Sequence, residues 1–263
     1  ISDRSDAGRM AMRLISEVDT SDPALRRDRE RAEALRRDRE AAAQAYFDAH
    51  AADWDRIRAL HVSEADVEAA IRAALGPGPF RVLVDLGTGT GRMLELMADR
   101  YERGVGIDAS QAMLAYARAK LAAKGLAKAQ LRHGDLYDLS MPDGTADVVL
   151  MHQVLHYLAD PPAAIREAAR VLAPGGRLLI VDFAPHDLEF LRDAHAHERL
   201  GFSSQHVESW LDEAGLVPMP AHALPPPQDR RADMLTVTIW QARQPGEPGA
   251  PERQTHRTLE EIR

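Results

Sequence analysis

Apolar residues recur at helical intervals through the first 78 positions of the chain, and at strand-like intervals after them. Residues 1–22 pattern as a short amphipathic helix, with Met10, Met12, Leu14 and Ile15 on its apolar side and the turn-forming DTSDP at its end. Ser21 and Asp22 before Pro23 predict the start of a second helix, because proline suits the first helical position and a short polar side chain caps it. The pattern stays helical through Tyr46, Phe47, Trp54, Ile57 and Leu60 until GPGP at 76–79 breaks it. Beyond that point short apolar runs alternate with helical stretches: RVLVDLG, GVGID, AQLRHGD, ADVVLMH and GRLLIVDF. Such alternation predicts an α/β fold, a doubly wound parallel sheet with helices on both faces. The C-terminal part departs from it. SSQHVESWLDEAGL is followed by an irregular strand, VPMPAHAL, and then by a clean one, MLTVTIWQA, with no helix between them, so the last strand is expected to be antiparallel.

This division gives four segments: a short helix at 1–22, a helical extension at 23–78, the α/β domain at 79–244 and a polar, mobile tail at 245–263. Length agrees, since 263 residues suffice for one well-buried domain with an appendage. Ile1 in place of Met points to further chain upstream.

Composition narrows the function classes. With 45% hydrophobic residues, 28% charged residues and a net charge of −8, the chain has the make-up of a soluble globular protein and gives no reason to expect nucleic acid as a partner. The absence of cysteine excludes disulfides, thiolate metal sites and cysteine nucleophiles. No run is long and apolar enough to span a bilayer, and no signal-peptide core is visible, so a cytoplasmic protein without a membrane partner is expected. The repeat ALRRDRE at 24–30 and 34–40 looks basic. However, Asp28, Glu30, Glu33, Asp38 and Glu40 interleave with its arginines, which reads as a solvated helix laced with ion pairs.

The chemistry centres on VDLGTGTGRM at 84–93. Gly87, Gly89 and Gly91 sit where a strand turns into a helix, allowing a sharp turn and close approach of a ligand to backbone. A triphosphate loop would need a G-K-[ST] ending, which is missing, and a dinucleotide fingerprint would place its third glycine one residue later. Asp85, just before the loop, would repel a pyrophosphate and attract an ammonium group. Asp108 ends the second strand about twenty residues on, where a carboxylate accepts both ribose hydroxyls. Asp135 ends the third, in reach of an adenine amino group. Each has a plainer reading: Asp108 as a helix cap beside the better-placed Ser110, Asp135 as a turn former, Met113 as ordinary core.

Together these motifs resemble the class I S-adenosylmethionine-dependent methyltransferases. DLGTGTG, GIDAS, GDL, DVVLMHQVLHYLADP and LAPGGRLLIVDF occur in the order of that family's motifs. The resemblance implies a Rossmann-like doubly wound seven-stranded sheet with its last strand antiparallel, preceded by the N-terminal helical extension, and S-adenosyl-L-methionine as cofactor. It also implies roles: Asp85, Gly87, Gly89 and Gly91 on the methionine part, Asp108 on the ribose, Asp135 and the Leu136 backbone on the adenine, and Met113 against the adenine ring. Backbone near His152 would line the sulfonium end. Tyr46 is the candidate aromatic lid from the N-terminal helices, with helical core packing as the alternative for it and for Phe47 and Trp54.

A base is needed only where the acceptor must lose a proton, and histidine serves near neutral pH. His152, His156, His186, His195 and His197 lie near the expected mouth, and His186 with His195 is taken as the acceptor-side pair. His195 and His197, two apart, would diverge on a helix rather than chelate one metal, and no metal site is expected. The segments AYFDAHAADWDRIRALHV and AHERLGF further resemble methyltransferase domains fused behind ArsR-type winged-helix repressors and those of ubiquinone and menaquinone biosynthesis. The expected function is methyl transfer to a small-molecule acceptor, with an S-adenosylmethionine-sensing regulatory module as the rival. Arsenite as acceptor is rejected because its capture needs thiolates. The N-terminal helices offer a surface for a homodimer.

Overall fold

The structure, a computed structural model, describes residues 22–226 and 234–246 together with Met10. The predicted helix over 1–22, apart from Met10 and Asp22, and the tail beyond residue 246 lie outside the described residues. The chain divides into two compact units, Ile1–Ala41 and Ala42–Arg263. The division falls inside helix α1 (Pro23–His50), whose first free amide is capped as the sequence predicts: Ala24 N donates to Asp22 Oδ1 at 2.6 Å. Up to Ala41 nearly all of the described side chains of α1 are exposed, as suits a solvated helix. Its last turns, from Ala42, belong with the unit that holds the sheet.

In that unit α2 (Trp54–Arg58) and α3 (Glu64–Leu75) precede strand β1 (Phe80–Leu86). There follow α4 (Arg92–Leu96), β2 (Tyr101–Asp108), α5 (Gln111–Ala123), β3 (Ala129–His133) and β4 (Ala146–His152). A 3-10 turn (Leu155–Tyr157), α6 (Pro161–Val171), β5 (Leu172–Phe183), α7 (Phe190–His195), α8 (Ser204–Glu213), β6 (Val217–Leu224) and β7 (Val237–Arg243) complete it. The seven strands form one sheet in the order β3-β2-β1-β4-β5-β7-β6. Pairs among the first five strands are parallel, and β7 runs antiparallel to both β5 and β6. This is the doubly wound sheet that the alternating pattern predicts. β7 can reverse because it follows β6 without a crossover helix.

Both faces of the sheet are covered, so the central strands are apolar almost throughout. Val82, Val84, Leu86, Val149, Met151, Leu178, Ile180 and Trp240 pack on one side with α6 and α8. Their neighbours Leu83, Val148, Leu150, Leu179, Val181 and Ile239 pack on the other with α3 and α4. Alternate residues point to opposite faces, as pleating requires. Half of the residues of the outer strand β6 are exposed and none is buried, and its register slips between Met219 and His222. Pro218 and Pro220 there cannot donate to a ladder, which is tolerated at an edge.

Ion pairs tie the helical extension to the first crossover. Asp55 accepts from Thr90 Oγ1 and from Lys120 Nζ, both at 2.6 Å. Arg92 reaches Glu68 through two bonds of 2.6 Å, a bidentate geometry. These contacts set α2 against the turn that follows β1.

Candidate active site

Parallel order places the carboxyl ends of β1, β2, β4 and β5 along one edge, where doubly wound sheets bind ligands. Strand order reverses between β1 and β4, and the glycine loop lies at that switch point. Gly87, Gly89 and Gly91 have φ of 70°, 51° and 76°, in the left-handed region that side chains disfavour. Gly87 has a steric reason as well, because an added Cβ would lie 2.4 Å from Val154 Cγ2. The loop is held to β2 by Gly87 N and Thr88 N, which donate to Ile107 O at 2.8 and 3.1 Å.

Asp85 is buried one residue before the end of β1, and its Oδ2 accepts from Thr88 Oγ1 at 2.6 Å. Burial pushes its carboxyl up to about 7, with the nearby Asp108 adding to the rise and Arg58 opposing it. Asp108, at the end of β2, has its two oxygens 2.8 Å from Gly89 N and Ser110 N, and burial raises its pKa too. Ser110 is the helix cap of α5: its Oγ accepts from Met113 N at 3.1 Å and donates to Asp48 Oδ1 at 2.6 Å. Asp108 is therefore not the cap; it braces the glycine loop from the far side. Asp135 is exposed, and its Oδ1 accepts from Tyr137 N at 2.9 Å, forming the turn that buries Leu136.

Met113 is buried against Ala51 and Trp54, with Tyr46, Phe47, Ile57 and Tyr157 around them. The indole of Trp54 lies against Gly89, 3.6 Å from where a Cβ would stand. The rings of Phe47 and Tyr157 meet edge to face at 4.8 Å, and those of Phe47 and Trp54 at 5.3 Å. The aromatic residue that covers the glycine loop is thus Trp54. Tyr46, the lid candidate of the sequence analysis, turns to the insertion after β5, where its hydroxyl lies 2.8 Å from His195 Nδ1.

The expected acceptor-side pair takes different partners. His195 ends α7 against Tyr46 and His61. His186 Nδ1 accepts from Leu188 N at 3.3 Å, and its ring faces Phe183. Ala196, in the left-handed conformation with φ 56°, turns the chain so that His195 and His197 diverge. His197 stacks on Phe183 instead, with interplanar angle 8°. Burial lowers the pKa of both His186 and His195, and lowers that of His152 well below the usual value. Among the described residues, no group of three or more His, Asp or Glu is placed to hold a metal ion.

Three features escaped the sequence analysis. Arg58 is nearly buried and pairs with Glu64 at 2.8 Å, within electrostatic reach of Asp85 and His152. Gln153 is buried with φ 51°, a strained position for a non-glycine residue directly after β4. Asp182, wholly buried at the end of β5, holds His156 Nδ1 at 2.8 Å. The acid in GRLLIVDF was the available signal, since a carboxylate closing an apolar strand needs a partner.

Residues 84–180 match the family model described as a methyltransferase domain. The sheet-bearing segment has the α/β Rossmann-like fold of methyltransferases. The chain is 40% identical over 118 residues to a demethylmenaquinone methyltransferase of Thermus thermophilus, covering 44% of this chain and 53% of that protein. It is 33% identical over 140 residues to a probable S-adenosylmethionine-dependent methyltransferase of Mycolicibacterium smegmatis, covering 51% of each. The crystal structure of the YcgJ protein from Bacillus subtilis superposes with a TM-score of 0.58 at 20% identity, over 68% of this chain and 97% of that one, which supports the fold. The chain spans about half the length of the curated relatives it matches. Among the described residues no helix is long and apolar enough to cross a membrane.

Proposed function

We propose that the methyltransferase domain makes this protein an enzyme that transfers the methyl group of S-adenosyl-L-methionine to a small-molecule acceptor. One observation carries the reading: the buried Asp85 and the half-buried Asp108, whose charge adds to the rise in the Asp85 pKa, flank a left-handed glycine loop. Such a pair favours a ligand that brings a cation to one acid and a diol to the other, and it disfavours a pyrophosphate. The donor chemistry of these residues fits the amino-acid and ribose parts of the cofactor.

When bound, the cofactor supplies an electrophilic methyl group on a sulfonium. In this reading the chain's own residues divide the remaining work. Asp85 and the backbone of Gly87, Gly89 and Gly91 hold the methionine part, Asp108 the ribose, and Asp135 with the Leu136 backbone the adenine. Met113 and Trp54 pack beside the nucleoside, while Phe47 and Tyr157 help exclude water, which strengthens every polar contact within. Backbone near His152 lines the reacting end. Tyr46, His186 and His195 belong to the acceptor side.

Calorimetric titration with S-adenosylmethionine, S-adenosylhomocysteine and NAD tests the reading. Binding of the first two without NAD is expected, and binding of NAD alone overturns it. Incubation with labelled cofactor and a cell metabolite extract then separates an enzyme, which yields a labelled product, from a sensing module, which binds and does not turn over.

A further inference from the structure

Around the ring of Phe183 stand three imidazoles, each with a buried nitrogen that has no hydrogen-bond partner: His156 Nε2, His186 Nε2 and His197 Nδ1. Their ring centroids lie 4.9, 6.1 and 5.8 Å from that of Phe183. Buried polar atoms are nearly always paired, so three orphans about one ring ask for an occupant that pairs them.

The three are not equivalent. His156 is 1% exposed and Asp182 is wholly buried. The carboxylate accepts from His156 Nδ1 at 2.8 Å, from Phe183 N at 2.8 Å and from His156 N at 3.3 Å. A carboxylate on Nδ1 holds the proton there and leaves Nε2 as a bare acceptor, the arrangement that prepares an imidazole to take a proton. The dyad also stands on the acceptor side of the sheet. Asp85 is on β1 and Asp182 on β5, with β4 between and Asp182 three residues further along the register, so they are about 14 Å apart. His152 and Gln153, where the reacting end falls in the proposed function, precede His156 on the same turn, and Gln153 N donates to Val181 O at 2.7 Å beside Asp182.

We propose that His156 is the general base of this enzyme, that Asp182 positions it, and that the Phe183 cluster receives a flat, neutral acceptor bearing an acidic hydroxyl, a phenol or an enol. This rests on the methyl-transfer reading above. As the acceptor oxygen forms its bond to the methyl carbon, the carbon–sulfur bond breaks with its electron pair left on sulfur, and the hydroxyl proton passes to His156 Nε2. The imidazolium so formed is stabilised through Nδ1 by Asp182. His186 and His197 supply further hydrogen bonds to the acceptor's polar groups. The rings of Tyr157 and His197, at 4.0 and 4.2 Å from that of His156, must part for the acceptor to arrive. The segment that moves is the one pinned to His156 O by Glu198 N and Arg199 N, both at 3.1 Å. Besides Asp182, the titratable groups facing His156 are Tyr157, His152, His186 and His197.

The test uses the full chain labelled with 15N-histidine and saturated with S-adenosylhomocysteine. Nuclear magnetic resonance is expected to report His156 as the Nδ1–H tautomer and to show its Nε2 resonance moving on titration with phenol. In transfer assays with labelled cofactor and the metabolite extract, H156Q should lose about 100-fold or more of the hydroxyl methylation and D182N a comparable factor. Both variants should keep S-adenosylhomocysteine affinity within about threefold. An Nε2 resonance unmoved by saturating phenol overturns the proposal even if H156Q does not fold, and so does undiminished transfer by H156Q. Failure of the wild-type protein to bind S-adenosylhomocysteine would instead overturn the underlying reading.

Discussion

The hydroxyl of Tyr46 lies 2.8 Å from Nδ1 of His195, joining a helix before the sheet to a helix in the insertion after β5, 149 residues on. Burial raises the pKa of Tyr46, so the phenol stays protonated, and burial with His61 and His50 nearby lowers that of His195. In the Nε2–H tautomer of His195 the phenol donates to a neutral imidazole. Y46F should remove this bond and cost about 1 kcal/mol of stability, measured by denaturant unfolding. The cost should vanish in acid. A histidine whose folded pKa is depressed contributes stability that is present above its unfolded value of about 6.5 and lost as pH falls through the folded value. Wild type and Y46F should thus converge once the pH has fallen through the lowered folded value; a constant difference would show that His195 is not the acceptor.

Asp85, with its carboxyl pushed up to about 7 by burial, should make cofactor binding pH-dependent. A cation beside it favours the ionised form, so affinity for S-adenosylmethionine should be highest above about pH 7 and fall as pH drops below it, by up to about tenfold per unit. D85N should bind weakly with a flat pH profile. Without ligand the sign for stability is opposite. A raised carboxyl pKa means that stability is fully present below the unfolded value and is lost as pH rises through the folded one, so D85N should be the more stable protein at pH 8, by on the order of 2 kcal/mol. Titration calorimetry and thermal unfolding across pH check the two halves separately.

Two glycines of the same loop should respond differently to a single methyl group. At Gly89 an added Cβ meets only the Trp54 indole, at 3.6 Å, so G89A carries chiefly the left-handed strain of about 1 kcal/mol. At Gly87 the same strain is joined by a collision with Val154 at 2.4 Å, and overpacking adds about 1–3 kcal/mol. G87A should therefore lower the melting temperature much more than G89A. Equal losses would mean that Val154 yields freely.

Trp54 should report on the site directly. Its indole lies against Gly89, whereas Trp210 and Trp240 pack in the cluster on the α6 and α8 side of the sheet. Adding S-adenosylhomocysteine should change tryptophan emission in the wild-type protein and leave it nearly unchanged in W54F. A persisting signal in W54F would place the responding tryptophan elsewhere.

Much of this protein was legible in its sequence, for local reasons. The glycine loop could be located because only glycine adopts φ near 70° cheaply, and the sheet because covered parallel strands must be apolar on both faces. The reversed last strand followed from the missing helix before it. The acids at the ends of β1 and β2 stood out because carboxylates are costly in such places. What the sequence could not supply was pairing across distance. Nothing in the spacing of Trp54, Tyr46 and the histidines says that the indole meets Gly89, that Tyr46 turns to His195, or that His156 rather than His186 faces a buried aspartate. Those choices were made by the tertiary structure. They depend on how the last turns of α1, from Ala42, and the insertion after β5 pack over the edge of the sheet, where side chains far apart in the chain compete for the same buried partners.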